Sequence, residues 1–410
     1  MPIGTPFHSR TAALCASHNW RTWSGYIVAS SYDVMHDYEY HAIRNSAALI
    51  DISPLYKYEV QGKDALKLVN RVITRDAAKC MVGQALYGCL CQDDGAVIQD
   101  GTIFRLGENH FRFHLADPSL RWLQLNGVAM DVVIKEISED IAALALQGPN
   151  ALKILQQVVD ADLGQLKFFR LTSGKIQGIP VIVSRTGYTG DLGYELWFGA
   201  EYAERVWDCL VEQGSDYGIK PTGLLALDVA RLEAGFILLE VDYIGAEKAL
   251  IPSQRYSPFE ISLGWAVDLK KDHFIGARAL RKSVEGGPAR QIVGLEINLD
   301  DFEYLYKQVG LAPQFPLAAW RGGVPVHRDN RQVGHATTGA WSPTLKKYLV
   351  LATIQKEFVA AGTRVDMEVT IEYTRKSVGA TVVKTPFFDP LRKRALFAAA
   401  KERPSNRAIS

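Results

Sequence analysis

The segment Ser184-Arg185-Thr186-Gly187-Tyr188-Thr189-Gly190-Asp191-Leu192-Gly193-Tyr194-Glu195 sets three glycines at three-residue spacing between two strand-like runs. Residues 179–184 before it read as a buried strand, and residues 194–198 after it alternate like a second one. Glycine lets a backbone turn sharply and approach another group closely. A loop pinned by strands at both ends can therefore fold around something flat and present the Glu195 carboxylate from rigid walls. The same spacing also suits a glycine-rich hairpin with no ligand, since it is neither the dinucleotide-binding fingerprint nor the phosphate-binding P-loop.

With 410 residues, 48% of them hydrophobic, the chain can bury large cores and should form two or three domains. A strand begins at 57–62, and residues 64–72 follow with helical spacing. Strands are expected near 85–92, 96–106 and 111–116, and amphipathic helices at 150–159 and 203–214, the latter stopping at its glycine. Strands and helices that mix without long parallel β-α-β runs argue for α+β. From about residue 290 short strands dominate, with turns at Arg321-Gly322-Gly323 and Ala361-Gly362, which suits a small closed β-barrel. Gly286-Gly287-Pro288 is the expected linker, and no internal repeat or low-complexity segment is evident.

Formal net charge is +1, without a dense Lys/Arg cluster. Nucleic acid and anionic membranes both select concentrated positive potential, so neither is an expected partner. Arg392-Lys393-Arg394 reads as a solvated tail. No apolar run reaches membrane-spanning length, and residues 1–6 lack the order of a secretory signal, so a cytoplasmic protein is expected. Five cysteines, an odd number, fit reduced thiols. Cys89 and Cys91 share a face of one strand, but no second Cys or His pair lies at zinc spacing, so no metal is expected. The histidines are scattered apart from His36/His41 and His110/His114, and structural roles are expected for them.

Residues 185–195, RTGYTGDLGYE, resemble the RTGYTGEDG(F/Y)E segment of the glycine-cleavage T-protein, the tetrahydrofolate-dependent aminomethyltransferase family. Further landmarks follow in the family's order: Gln147-Gly148-Pro149, Asp228 to Gly235, Gly334 to Gly339 leading to Ser342 to Lys347, and Val383 to Phe388. Together the likeness covers roughly residues 20 to 390. It implies a three-domain cloverleaf of α+β class around a central folate cavity, with a C-terminal β-barrel. The corresponding division is a folate-binding region of two interleaved domains at 1–287, a barrel at 288–390 and a tail at 391–410. Tetrahydrofolate is the implied cofactor, with no metal or cobalamin required.

The resemblance also places the site. Gly95 to Asp100 is similar to the family's GG(I/V)(I/V)DD, with Gln99 at the first aspartate and Asp100 kept at the second, beside the reactive folate nitrogens. A carboxylate there can hold developing positive charge and orient the pterin. Read without the resemblance, Asp100-Gly101 is first of all a hairpin turn. Glu195 would accept the two donors of the pterin edge, Arg231 would meet the folate, and Tyr87 and Tyr188 would line the cavity. Their ordinary readings are an exposed strand residue, a surface ion pair and core aromatics.

The chain departs from the aminomethyltransferase pattern at Asp51-Ile52-Ser53-Pro54-Leu55, where DVSHM is typical, and at Ala116, where asparagine is typical. Leu115-Ala116-Asp117 and Gly25-Tyr26-Ile27-Val28 are instead similar to the dimethylsulfoniopropionate demethylase branch. Residues 250–256 and an aromatic stretch at 302–316 are extra, and such insertions are expected to be loops near a site. These departures imply a demethylase moving methyl from a small methoxy or S-methyl compound, an aryl methyl ether first, to N5 of tetrahydrofolate, with Tyr26, His41 or Tyr243 as proton donor. A lipoyl carrier protein is then an unexpected partner. The alternatives are an aminomethyltransferase making methylene-tetrahydrofolate and a folate-binding protein without transferase activity.

Overall fold

In the computed structural model, which describes residues 1–397, the period-two runs pair into three sheets and a barrel. The largest open sheet has six strands, in the order Leu171–Ile176, Ile179–Ser184, Gly193–Gly199, Ile141–Gln147, Ala47–Asp51, Ile219–Pro221. Alternation divides its faces. Leu144, Leu146, Tyr194 and Leu196 pack under the helices Ala151–Val158 and Ala203–Gly214. Ala143, Ala145 and Trp197 face a second core shared with the rest of the molecule. The helix Ala203–Gly214 ends at its glycine as expected, and a 3-10 turn, Ser215–Tyr217, carries the chain on to Gly218, whose φ of 68° is the left-handed cap that glycine adopts cheaply.

A five-stranded antiparallel sheet, in the order Gln84–Cys91, Val97–Gly107, His110–Leu115, Tyr56–Gln61, Val133–Glu136, is backed by the helix Ala65–Val72. Asp100 lies inside the Val97–Gly107 strand, opposite Cys89, so Asp100-Gly101 is not a turn. A small sheet of Ile3–Gly4, Tyr26–Ser31 and Asn19–Trp23 completes the N-terminal part.

Six strands between Arg290 and Val383 close into a barrel. The chain is thus α+β with a C-terminal β-barrel. Arg321-Gly322-Gly323 is not a turn but an irregularity within the Trp320–Arg328 strand, where pairing slips between Arg321 and Val324. The aromatic stretch 302–316 is also not a pocket wall. Its first part belongs to the helix Leu299–Lys307, and Phe302 and Tyr306 are buried in the barrel core, where Phe302 stacks on Phe315 and meets Tyr348 edge-on. Within residues 250–256, Leu250 and Ile251 are exposed while Tyr256 is buried with Arg290 over its ring.

The helix Leu224–Glu233 sits where these parts meet, with every residue from Ala226 to Glu233 buried. Its buried charges must be paired, because an unpaired ion inside a protein is very costly. Glu233 accepts from Tyr40 Oη at 2.5 Å, Ser342 Oγ at 2.5 Å and Arg44 Nη2 at 2.6 Å, joining the helix Asp37–Asn45 to the barrel. Arg231 donates to Asp242 Oδ2 at 2.6 Å and to Thr338 Oγ1 at 3.1 Å. The C-terminal segment returns to this core: Arg392 donates to Asp191 at 2.6 Å and Lys393 is buried, so these two are not a solvated tail. Residues 398–410 of the expected tail lie outside the described residues. Among the described residues no helix is long and apolar enough to cross a membrane.

Glu233→Gln keeps the shape but leaves Arg44 with only Asp191 as a charged partner. Denaturant unfolding should show a loss on the order of 3 kcal/mol, and an unchanged midpoint and slope would remove Glu233 as the link between helix and barrel.

Candidate active site

The glycine-rich loop folds around a side chain of the protein itself. Gln147 ends its strand inside the loop, donating from Nε2 to the carbonyls of Thr186 and Tyr194 at 3.3 Å each and accepting from Thr189 Oγ1 at 2.8 Å. A Cβ on Gly187 or Gly193 would lie 2.1 Å from Gln147 Oε1, and Gly190 adopts a φ of 72° against Ala234. Two of the three glycines therefore make room for an amide of the chain, and the third for Ala234. What it positions is Glu195. That residue shares a strand face with Trp197, toward the shared core, and stays partly accessible. Thr186 Oγ1 at 2.6 Å and Ser184 Oγ at 3.4 Å both donate to its Oε2, and Oε1 has no hydrogen bond among the described residues. Burial pushes the carboxyl up to about 6, against the pull of the two hydroxyls.

Asp100 is clasped by two phenols. Tyr87 Oη donates to Oδ2 at 2.5 Å, Tyr243 Oη donates to Oδ1, and the Asp100 backbone N–H donates back to Tyr243 Oη at 3.1 Å. Burial raises the Asp100 carboxyl above its usual range, while both hydroxyls favour its ionised form. Burial and the neighbouring carboxylate hold both phenols well above their ordinary value, so neither gives up its proton readily. Tyr188 stands close by, stacked on Phe236 at 5.6 Å and donating to the Ile237 carbonyl. Its phenol is also raised, by burial first and then by Asp100, Asp242 and Asp228 against the opposing Arg231, so Tyr188 shares the field of Asp100.

The structure thus brings together Tyr87, Asp100, Tyr243 and Tyr188, with Glu195 on the facing sheet. Arg231 is fully buried next to this group, its guanidinium holding Asp242, the Phe236 carbonyl and Thr338. Two expected residues fall elsewhere. Tyr26 lies in the small N-terminal sheet, where its charged neighbours are Glu139, Asp51 and Glu136. His41 is on the exposed face of its helix, with Tyr40 and Asn45 as partners.

Sequence reasoning missed Trp265, whose ring stacks on Tyr87 at 5.8 Å and 17° while remaining exposed. It sits in a short 3-10 turn without periodicity, so no pattern pointed to it. Ser184 and Thr186 were legible, since Ser184 pairs directly opposite Glu195. Cys89 and Cys91 are free buried thiols, and among the described residues no group of three or more His, Cys, Asp or Glu could hold a metal. A small pocket under the N-terminal sheet, lined by Thr11, Tyr32, Asp51 and Thr222, contains none of the expected residues.

Residues 7–271 match the family described as the GCVT N-terminal domain, and residues 307–389 match the glycine cleavage T-protein C-terminal barrel domain. An aminomethyltransferase of Halothermothrix orenii is 35% identical over 353 residues, 85% of this chain and 90% of that protein. One from Anoxybacillus flavithermus is 37% identical over 356 residues, 85% and 89% of the two chains. The crystal structure of glycine cleavage system aminomethyltransferase T from Bartonella henselae superposes with a TM-score of 0.80 at 22% identity, over 97% of this chain and 100% of that one.

Because burial raises the Glu195 carboxyl to about 6, the folded protein binds its proton more tightly than the unfolded chain. The contribution to stability is full below the ordinary carboxyl pKa of about 4.3 and is lost as pH rises through 6. Thermal melts of Glu195→Gln should therefore show a flatter profile between those values than the parent, with no loss at pH 7. Parallel profiles would place Glu195 outside the desolvated site.

Proposed function

The chain belongs to the glycine-cleavage T-protein family, and we propose that it moves a one-carbon unit to tetrahydrofolate at Asp100, in the manner of its aminomethyltransferase relatives. The observation that carries this reading is the Asp100 carboxylate held between the Tyr87 and Tyr243 hydroxyls. The residues suit the family's folate: an accessible acceptor at Glu195, aromatic surface at Tyr87, Trp265 and Tyr188, and a buried carboxylate. Tetrahydrofolate, when bound, supplies the nitrogen nucleophile that takes up the one-carbon unit. Glu195 accepts from the pterin edge and sets its orientation. Asp100 stays ionised under two donated hydrogen bonds and stabilises positive charge arising on nearby nitrogen. Tyr243 holds Asp100 in place, and its weak acidity argues against the proton-donor role expected from the sequence.

Aminomethyl transfer, giving methylene-tetrahydrofolate, is the first reading because it is the activity named for relatives that match most of the chain. A lipoyl carrier protein is the partner that goes with it. Methyl transfer from a small donor is the second reading, favoured by Ala116 at the position where asparagine is typical. The aryl preference loses its ground, since Phe302 and Tyr306 serve the barrel core.

Two measurements test this. Asp100→Asn should lower turnover by at least about 100-fold, a loss of roughly 2.7 kcal/mol in transition-state stabilisation, with a much smaller change in the folate Michaelis constant. Equal turnover would make Asp100 structural only. The parent enzyme, offered a lipoyl-bound aminomethyl donor, dimethylglycine, dimethylsulfoniopropionate and methoxybenzoates, should form methylene-tetrahydrofolate from the lipoyl-bound donor. Formation of 5-methyltetrahydrofolate from a free donor instead would replace the first reading by the second.

A further inference from the structure

Two arginines distant in sequence converge on one carboxylate beside the site. Arg21, from the strand Asn19–Trp23, brings Nη1 to 3.7 Å from Asp228 Oδ2, and Arg321, from the barrel strand Trp320–Arg328, donates Nη2 to the same oxygen at 2.5 Å. Asp228 is itself 5% exposed and is shared with Arg231, whose Nε lies 3.6 Å from Oδ1. Arg231 is answered by Asp242. The group thus sets the guanidinium ions of Arg21, Arg231 and Arg321 against the carboxylates of Asp228 and Asp242, leaving one positive charge in excess.

The excess is on the accessible side. Arg231 is fully buried, whereas the side chains of Arg21 and Arg321 are 27% and 38% exposed. Ser30 fixes Arg21 Nε at 3.1 Å, Asp228 attracts Arg21 Nη1 from 3.7 Å and binds Arg321 Nη2 directly, so both forks are oriented with N–H groups left over. Burial and the charge of Arg321 both work against the charge on Arg21, and Asp228 opposes them. A further anion would relieve that repulsion. The slip in pairing after Arg321 re-aims its side chain, and a Cβ on Gly322 or Gly323 would meet nothing within 4 Å, so there is room beside it. Arg231 links this group to the Asp100 site: it holds Asp242, whose neighbour Tyr243 donates to Asp100, and the carbonyl of Phe236, whose ring stacks on Tyr188.

We propose that Arg21 and Arg321, oriented by Asp228, form a cradle for a ligand carboxylate next to the Asp100 site. A carboxylate matches the planar fork of a guanidinium in two-point contact. Under the transfer reading, on which the identity of the ligand rests, that carboxylate is either the glutamate tail of the folate or an acid group on the one-carbon donor. The cradle therefore selects acids over their neutral counterparts.

Calorimetry on the full chain, comparing the parent with Arg21→Gln, Arg321→Gln and Arg321→Lys, would decide. The probes are tetrahydrofolate against tetrahydropteroate, which lacks the glutamate, and dimethylglycine against its amide. The parent should prefer the acid in at least one pair by about tenfold, and either Gln substitution should abolish that preference while Arg321→Lys keeps part of it. Loss confined to the folate pair assigns the cradle to the glutamate tail, and loss confined to the dimethylglycine pair assigns it to the donor. Melting curves of each variant would show whether the fold is intact, and Arg321→Lys, which keeps a cation beside Asp228, separates lost recognition from lost stability. The cradle is overturned if the parent shows no preference in either pair, or if the preference survives both Gln substitutions. A parent that binds no tetrahydrofolate but still distinguishes the dimethylglycine pair would instead remove the transfer reading and leave the cradle standing.

Discussion

A charge can be buried in a protein only if its partners are held ready for it, and the helix Leu224–Glu233 buries three ionisable groups. Glu233 needs Arg44, Tyr40 and Ser342, while Arg231 needs Asp242 and Thr338. These partners come from the first third of the chain, from the segment after the helix and from the barrel. No one of these parts can move without uncovering a charge. The Asp100 cluster inherits that rigidity through a single peptide bond. Asp242 is fixed by Arg231 and by Thr337 and Thr338, and the next residue, Tyr243, donates to Asp100.

Periodicity made much of the fold legible. Strands at Gln84–Cys91, Val97–Gly107 and His110–Leu115, and helices at Ala65–Val72 and Ala151–Val158, lie within a residue or two of where alternation and helical spacing put them. What local pattern could not show was which side chains would be absorbed by tertiary packing. The core ion pairing of Arg231 was not visible, because its partners lie 11 and 107 residues further along. The aromatic residues near 302 looked like a pocket wall, yet Phe302 and Tyr306 pack with the apolar residues of the barrel strands. Lys393 looked solvated because nothing nearby in sequence foretold its burial.

The site was legible in its carboxylates and less so in their company. Asp100 and Glu195 could be picked out by family likeness, and both turn out partly accessible and desolvated. Their hydrogen-bond partners follow two different rules. Ser184 is opposite Glu195 in a hairpin, which is local and predictable. Tyr243 reaches Asp100 across 143 residues, which no spacing rule foresees.

Gln147 gives the loop that it fills a different meaning. Since the glycines make way for an amide of the chain, a substitution among them damages folding before it touches any ligand. The RTGYTG signature is then a mark of ancestry and architecture, shared by whichever chemistries the scaffold hosts.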